Sequence, residues 1–400
     1  MEPNASGHHG PYLAWMSRGL IERGFDVTII TLPETAKHPS LQDLHGTTSN
    51  DGGTSIRLIG EPLMINLTSG SGTTGGLMAK NFAYWRLFQA WHRKHMVNVQ
   101  PDVVFLPYLD YCLYAIGLLG SPFGNYPWVG LTMRPSFHYR TMNVKAPQPK
   151  LAGIKKVLFL RILRNRYLRK LLTIDEPLAN YLSSREQFAA KATLFPEPAD
   201  LGKLPEASKA KYKFGIATTR KVLLLYGVIT VRKGVVEILR ALSESDFPPT
   251  VDVLLAGKIA RPFVQKTLDE NWVRDLCNQG RLKIIDRFIG PAEEAALFAA
   301  ADIVWLGYRG HYNSSGLLIQ AASVGRPVLA CEDGVIGWQT RQHNLGQVVN
   351  PKNTAAVITA IKTLLEETSG KKNNNERLNA WHPPSFSKAQ DMLSHVLRGE

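Results

Sequence analysis

The clearest periodicity lies in the second half of the chain. Short, predominantly apolar runs, at 221–227, 251–257, 282–285 with 288–289, 302–307 and 327–331, alternate with stretches of helical spacing at 231–242, 291–298 and 316–324. A shorter apolar run at 346–350 precedes a last helical stretch at 353–367, and a polar helical stretch reaches about 278. Strands without a polar face, each followed by a helix, predict a parallel sheet covered on both sides, a doubly wound domain. The helix at 291 opens with Pro291 in its first turn and places Glu293 and Glu294 at its positive end.

The first half repeats the pattern less cleanly. A helix at 12–23 leads to a strand at 26–31, and later strands are expected at 102–106, 127–131 and 171–174. The segments 47–53 and 69–76, rich in Gly, Ser and Thr, predict loops, and the proline-bearing segment 197–207 predicts a linker. A doubly wound domain usually opens with a strand that runs into a Gly-rich turn. Here the turn Gly7-His8-His9-Gly10 comes almost at once. Either the first central strand is missing or cut short, or the start of the chain lies upstream.

Length and composition narrow the class. At about 100–200 residues per domain, 400 residues predict two or three domains. A content of 44% hydrophobic and 20% charged residues excludes a disordered or fibrous chain. The three cysteines, Cys112, Cys277 and Cys331, are far apart, which excludes a disulfide scaffold and a cysteine-pair zinc site and suits a reducing compartment. No apolar run reaches the ~18 residues of a membrane span, and the first residues lack the apolar core of a signal peptide. A cytoplasmic chain is expected.

Charge changes the picture further. The net charge is +14, and residues 62–174 hold 15 Lys/Arg against two acids, Asp102 and Asp110. From 111 to 174 there is no acid. Such asymmetry points to a polyanionic partner: phospholipid head groups, nucleic acid or a phosphorylated substrate. Within it, 150–170 interleaves eight cations with apolar residues. Read through to 172, this stretch is either an amphipathic helix on an anionic membrane surface or a domain helix with a cationic face in water. No RNA-recognition or helix-turn-helix pattern supports a nucleic-acid partner.

An ordered set of small motifs then carries a resemblance. Gly227, Arg232-Lys233-Gly234, Ala256-Gly257-Lys258, Phe288-Ile289-Gly290, Ala301-Asp302-Ile303-Val304, Ser314-Ser315-Gly316, Gln320-Ala321-Ala322 and Gly325-Arg326-Pro327-Val328 follow one another across roughly 220–365. In order and spacing this half resembles a family 4 glycosyltransferase. The first half is similar more loosely, through Gly7-His8-His9-Gly10 and Gly24-Phe25-Asp26-Val27-Thr28. The resemblance implies a GT-B fold: two doubly wound, Rossmann-like domains facing a cleft, at 1–198 and 199–378, with 379–400 crossing back onto the first. It implies a retaining, nucleotide-sugar-dependent transferase acting on a glycan or lipid-linked acceptor; combined with the basic stretch, this reads as a cytoplasmic enzyme that visits the inner membrane face. The alternative is a non-catalytic relative that binds sugar nucleotides or glycans.

Glycosyl transfer needs a stabilised diphosphate leaving group, supplied by a metal or by cationic side chains and helix N-termini. No Asp-x-Asp follows a strand and no His/Cys cluster is present, so the second device is expected and no metal or other cofactor. Lys233, with Arg232 beside it, lies in the turn after a strand, and Ser314, Ser315 and Gly316 open a helix. Donor contacts are also expected from Gly10, Phe288 and Gln320. Arg134, His9 and His311 are the expected catalytic groups. The glutamate pair that members often carry eight positions apart falls on Tyr312 and Gln320, and Val228 stands where an Arg is common.

Overall fold

The computed structural model describes residues 1–4, 9–44, 46, 53–62, 74–369 and 381–400. The chain divides into two compact units, one made of Met1–Met142, Pro147–Pro196 and Pro384–Glu400, the other of Asn143–Ala146 and Glu197–Pro383. The resemblance implies a first break at 198/199 and a return at 379. The structure sets them at 196/197 and 383/384 and transfers four residues, Asn143–Ala146, to the second unit, where Lys145 pairs with Glu332 and Asp333.

The first unit carries strands β1 (Val27–Thr31), β2 (Ile56–Gly60), β3 (Val104–Leu106), β4 (Trp128–Thr132), β5 (Leu168–Thr173) and β6 (Ala192–Leu194). They form a two-stranded sheet, β1-β2, and a four-stranded sheet, β3-β4-β5-β6, all parallel. The gap between them is filled by the first residues of the chain. The Met1 amine donates to Phe105 O at 2.8 Å, and Glu2 N donates to Ile30 O at 3.1 Å. Met1 and Glu2 thus stand where a doubly wound sheet has its first central strand. The His9–Ile21 helix follows, and the Phe386–Arg398 helix packs on the same face, burying Leu393 and Leu397 with Met16 and Leu20.

The second unit holds β7 (Lys221–Tyr226), β8 (Val251–Ala256), β9 (Leu282–Ile285), β10 (Ile303–Leu306), β11 (Val328–Cys331) and β12 (Gly346–Val349). Its single parallel sheet has the order β12-β11-β10-β7-β8-β9. Alternate residues serve opposite faces. Leu223, Leu225, Val253 and Leu255 pack in one core, and Val222, Leu224 and Leu254 in the other. That is why these runs are almost wholly apolar; the exceptions are Lys221, which opens β7, and the buried Asp252 of β8, which accepts from Arg220 Nε at 3.0 Å. The order reverses between β7 and β10, and ligands of doubly wound sheets bind at such a switch point, outside the carboxyl ends of the strands.

Several expectations are corrected. Phe288 and Ile289 lie in a loop beyond β9, because Ile285 is the last paired residue. The helical stretch from 231 is broken at Gly234, which ends a 3-10 turn, Val231–Lys233, before the Val235–Ser243 helix. Gly234 has φ 69°, and a Cβ there would sit 2.1 Å from Gly307 O, so no other residue fits. The basic stretch 150–172 is not one helix: the Ala152–Leu163 helix ends, and Leu168–Thr173 enters the sheet as β5. Thr74–Val99 is a 26-residue helix and Gly334–Gln342 another, neither of which the periodicity predicted.

Candidate active site

In the second unit Lys233 and Ser315, two of the expected donor residues, meet through Tyr308 at the switch point. β7 ends at Tyr226, and Gly227 turns with φ 95°. The Lys233 side chain folds back over this turn and donates to Tyr226 O. A Cβ on Gly227 would lie 2.8 Å from Lys233 Nζ, so glycine is what admits the ammonium here. The turn itself is pinned: Trp305 Nε1 donates to Lys233 O at 2.9 Å, and Arg309 N donates to Arg232 O at 2.8 Å. Burial, with Arg232 beside it, lowers the Lys233 pKa to about 8. The protein therefore holds a cation that an incoming anion would relieve. Arg232 itself is exposed.

From the other side of the switch point comes the segment after β10. Lys233 Nζ lies 5.8 Å from the centre of the Tyr308 ring, and the Tyr308 hydroxyl meets Ser315 Oγ at 3.2 Å. Ser315 holds the N-cap position of the Gly316–Ser323 helix, but its hydroxyl is committed to Tyr308 and does not cap. The ladder begins with Leu318 N donating to Ser315 O at 3.0 Å. The earlier N–H groups, at the positive end of the helix, lie outside that ladder and suit a phosphate oxygen.

His311 sits beside the same group. Its Nε2 is 3.0 Å from Ser314 O; a carbonyl only accepts, so Nε2 carries the proton and Nδ1 is left as an acceptor. Burial lowers its pKa, and Arg232 and Lys233 lower it further against the pull of the Ser314 carbonyl. His311 is thus a neutral imidazole at neutral pH, able to accept a hydrogen bond from a hydroxyl.

The glutamate position has a different solution. The Gln320 amide donates to Glu294 Oε1 at 2.8 Å, and the Tyr226 hydroxyl bonds the same carboxylate. Residue 320 is thus paired with a carboxylate from the neighbouring Pro291–Ala300 helix. Glu294 also lines a cavity of about 730 Å³ between the linker, including Lys203 and Glu206, and Pro291. Tyr312 contributes its backbone: Val335 N donates to its carbonyl at 2.9 Å. Phe288 is 83% exposed in the loop before Pro291, an aromatic face in water.

In the first unit a separate cluster gathers two of the expected catalytic residues. The His9 ring meets the edge of Tyr108, with centroids 4.7 Å apart, and stacks on Tyr111 at 5.9 Å. Its Nδ1 is 3.5 Å from Glu2 Oε2, and Glu2 Oε1 accepts from the Tyr111 hydroxyl at 3.2 Å. The exposed Arg134 guanidinium lies 5.3 Å from the centre of the Tyr108 ring. Tyr108 therefore joins His9 to Arg134. Gly10 is buried in the first turn of its helix, while Gly7 and His8 lie outside the described residues.

Asp110 anchors the loop after β4. Its carboxylate accepts from Thr132 Oγ1 at 2.8 Å, Met133 N at 2.8 Å and Arg134 N at 3.3 Å. Burial raises its pKa against those hydrogen bonds. It fixes the loop after β4 and so positions Arg134. His138 is a core residue, fully buried and 3.2 Å from Asp175. Sequence reading missed Tyr108, Tyr226, Tyr308 and the pairing of Glu294 with Gln320. The three tyrosines each stand within two positions of a strand end, which was the available signal; nothing in the sequence ties 294 to 320. Among the described residues no group of three or more His, Cys, Asp or Glu is placed to hold a metal ion.

These two units have the α/β fold of GT-B glycosyltransferases. No family model matches the chain, and no curated protein matches it by sequence. Solved structures match it along its whole length. Sucrose-phosphate synthase from Thermosynechococcus elongatus is 18% identical with a TM-score of 0.66, covering 99% of this chain and 94% of that one. HepE of Anabaena, solved with UDP, is 15% identical with a TM-score of 0.65, covering 100% and 98%. WaaG, a glycosyltransferase of lipopolysaccharide biosynthesis, is 15% identical with a TM-score of 0.59, covering 100% and 98%.

Proposed function

We propose that this protein is a nucleotide-sugar-dependent glycosyltransferase of the family 4 type, a retaining hexosyltransferase that uses no metal. The observation that carries the reading is the Lys233 ammonium held over the turn after β7, in contact with Tyr308 and through it with the Ser315–Gly316 helix start. A half-buried cation with a lowered pKa and a helix N-terminus at one switch point suit a diphosphate. That HepE, which shares the fold, is solved with UDP and with UDP-glucose supports a nucleotide-sugar ligand.

In this reading Lys233, Arg232, Ser314, Ser315 and Gly316 hold the diphosphate, Glu294 and Gln320 hold the ribose, and Phe288 offers its face to the base. His311 accepts from a sugar hydroxyl. Arg134 and His9, joined through Tyr108, and Gly10 serve the sugar and the acceptor. The bond from the anomeric carbon to the leaving oxygen breaks as the acceptor oxygen bonds the same face, and the acceptor proton passes to the departing phosphate. The acceptor is a glycan or lipid-linked sugar, met on the cytoplasmic side of a membrane. Among the described residues no helix is long and apolar enough to cross one.

The test is a thermal-shift panel of nucleotide sugars followed by a transfer and hydrolysis assay. A ligand that binds only the folded state raises the melting temperature. Binding with turnover is expected; no shift with any nucleotide would end the reading. A second reading, a non-catalytic sugar-nucleotide binder, is favoured by Tyr312 and Gln320 at the usual glutamate positions, and binding without turnover would select it.

A further inference from the structure

Five large aliphatic side chains lie in water on one side of the first unit. Leu118 and Leu119 end the Leu113–Leu119 helix at 48% and 52% exposure. Leu151, Ile154 and Val157, at 54%, 53% and 58%, run along the start of the Ala152–Leu163 helix. The two helices touch: a Cβ on Gly117 would lie 2.3 Å from Leu158 O, so the leucines that follow Gly117 neighbour the turn that carries Val157. On the second helix, residues 151, 154, 157, 161 and 164 follow one another at helical spacing and are all exposed. The stripe is apolar at its start and cationic, Arg161 and Arg164, at its end, with exposed Lys150 and Lys156 beside it. Leu151 holds φ 57° at the N-cap, a conformation usually left to Gly or Asn.

We propose that this face docks the protein on an anionic phospholipid bilayer, the aliphatic residues entering the acyl boundary and the cations meeting the head groups. The inference deepens the membrane contact of the proposed function and rests on it for purpose, not for geometry. Three observations favour lipid over other occupants. An exposed apolar patch rimmed by charge marks an interaction site. The absence of any acid from 111 to 174 would set like charges against like if two copies of this face met. The exposed apolar residues are all aliphatic, whereas single-stranded nucleic acid is bound by stacking on aromatic rings. A basic surface with inserted aliphatic side chains is the signature of an interfacial helix.

The experiment is flotation of the full chain with vesicles of phosphatidylcholine alone and of phosphatidylcholine with phosphatidylglycerol in equal parts. Flotation is expected only with the anionic vesicles and is expected to weaken as salt rises. Ile154→Ser with Val157→Ser, and separately Lys150→Glu with Lys156→Glu, are each expected to lower partitioning about tenfold at an unchanged melting temperature. Nucleoside-diphosphate affinity of both variants should equal that of the unaltered chain. Equal flotation on neutral vesicles, variants that float unchanged, retention on RNA without vesicle binding, or loss of a dimer with no loss of flotation would each overturn the inference. A chain that binds vesicles but no nucleotide would leave it standing and remove the reading of function.

Discussion

The two switch points of this molecule are built on different plans. In the second unit a full strand, β7, feeds the ligand turn, and the groups that would meet a diphosphate are the adjacent cations Arg232 and Lys233 and a helix start. In the first unit the central position is held by Met1 and Glu2 between two separate sheets, and the groups at hand are the side chains His9, Glu2, Tyr108, Tyr111 and Arg134. A backbone device depends on where elements begin and end. A side-chain cluster depends on contacts between residues about a hundred positions apart.

Variants separate the two plans, and the largest effect is expected at the backbone. Gly234→Val places a β-branched residue at φ 69° with its Cβ 2.1 Å from Gly307 O. Strain and overpacking together should cost about 3–5 kcal/mol, read as a lower melting temperature of the second unit. Retention of the native melting temperature would mean that the turn is not fixed as described.

Next is Lys233→Ala. Loss of a charge-assisted contact of about 2 kcal/mol should weaken nucleoside-diphosphate binding about 30-fold and nucleoside binding by much less. Calorimetry decides it, and equal losses would mean that Lys233 does not touch phosphate. Arg134→Ala is expected to lower kcat about tenfold with donor affinity unchanged, since Arg134 belongs to the other cluster. A matching loss of donor affinity would join the two clusters into one.

The smallest effect is expected at the ribose. Glu294→Ala should cost about 1 kcal/mol in nucleoside-diphosphate affinity and reduce the preference for ribo- over 2′-deoxynucleotide. An intact preference would make Glu294 a support for Gln320 alone.

The same contrast explains what the sequence made legible. The six-stranded sheet could be read because its inner strands are buried on both faces and carry few polar residues to blur the pattern. Lys233 and Ser314–Ser315–Gly316 were visible as punctuation, a cation before a glycine and small residues before a helix. The long Thr74–Val99 helix was missed because its buried residues, among them Leu87, Phe88 and Trp91, are mixed with aromatics and cations that weaken the helical period. β5 was partly hidden inside the basic run because Arg169 and Lys170 lie on a strand whose other residues are buried. Glu294 read as a dipole-compensating acid; only packing of two helices brings it to Gln320.

The claim on which the account rests is that the Lys233 ammonium meets the diphosphate. In the free protein its pKa is about 8, lowered by burial, and a bound diphosphate would raise it. Binding should then take up a proton wherever the free amine predominates. Calorimetric titration of a nucleoside diphosphate in buffers of different ionisation enthalpy, from neutral pH to about pH 9, measures this uptake. The account predicts uptake rising toward one proton above about pH 8, affinity falling over the same range, and both trends absent in Lys233→Arg. Proton uptake that stays at zero, or that survives in Lys233→Arg, would contradict it.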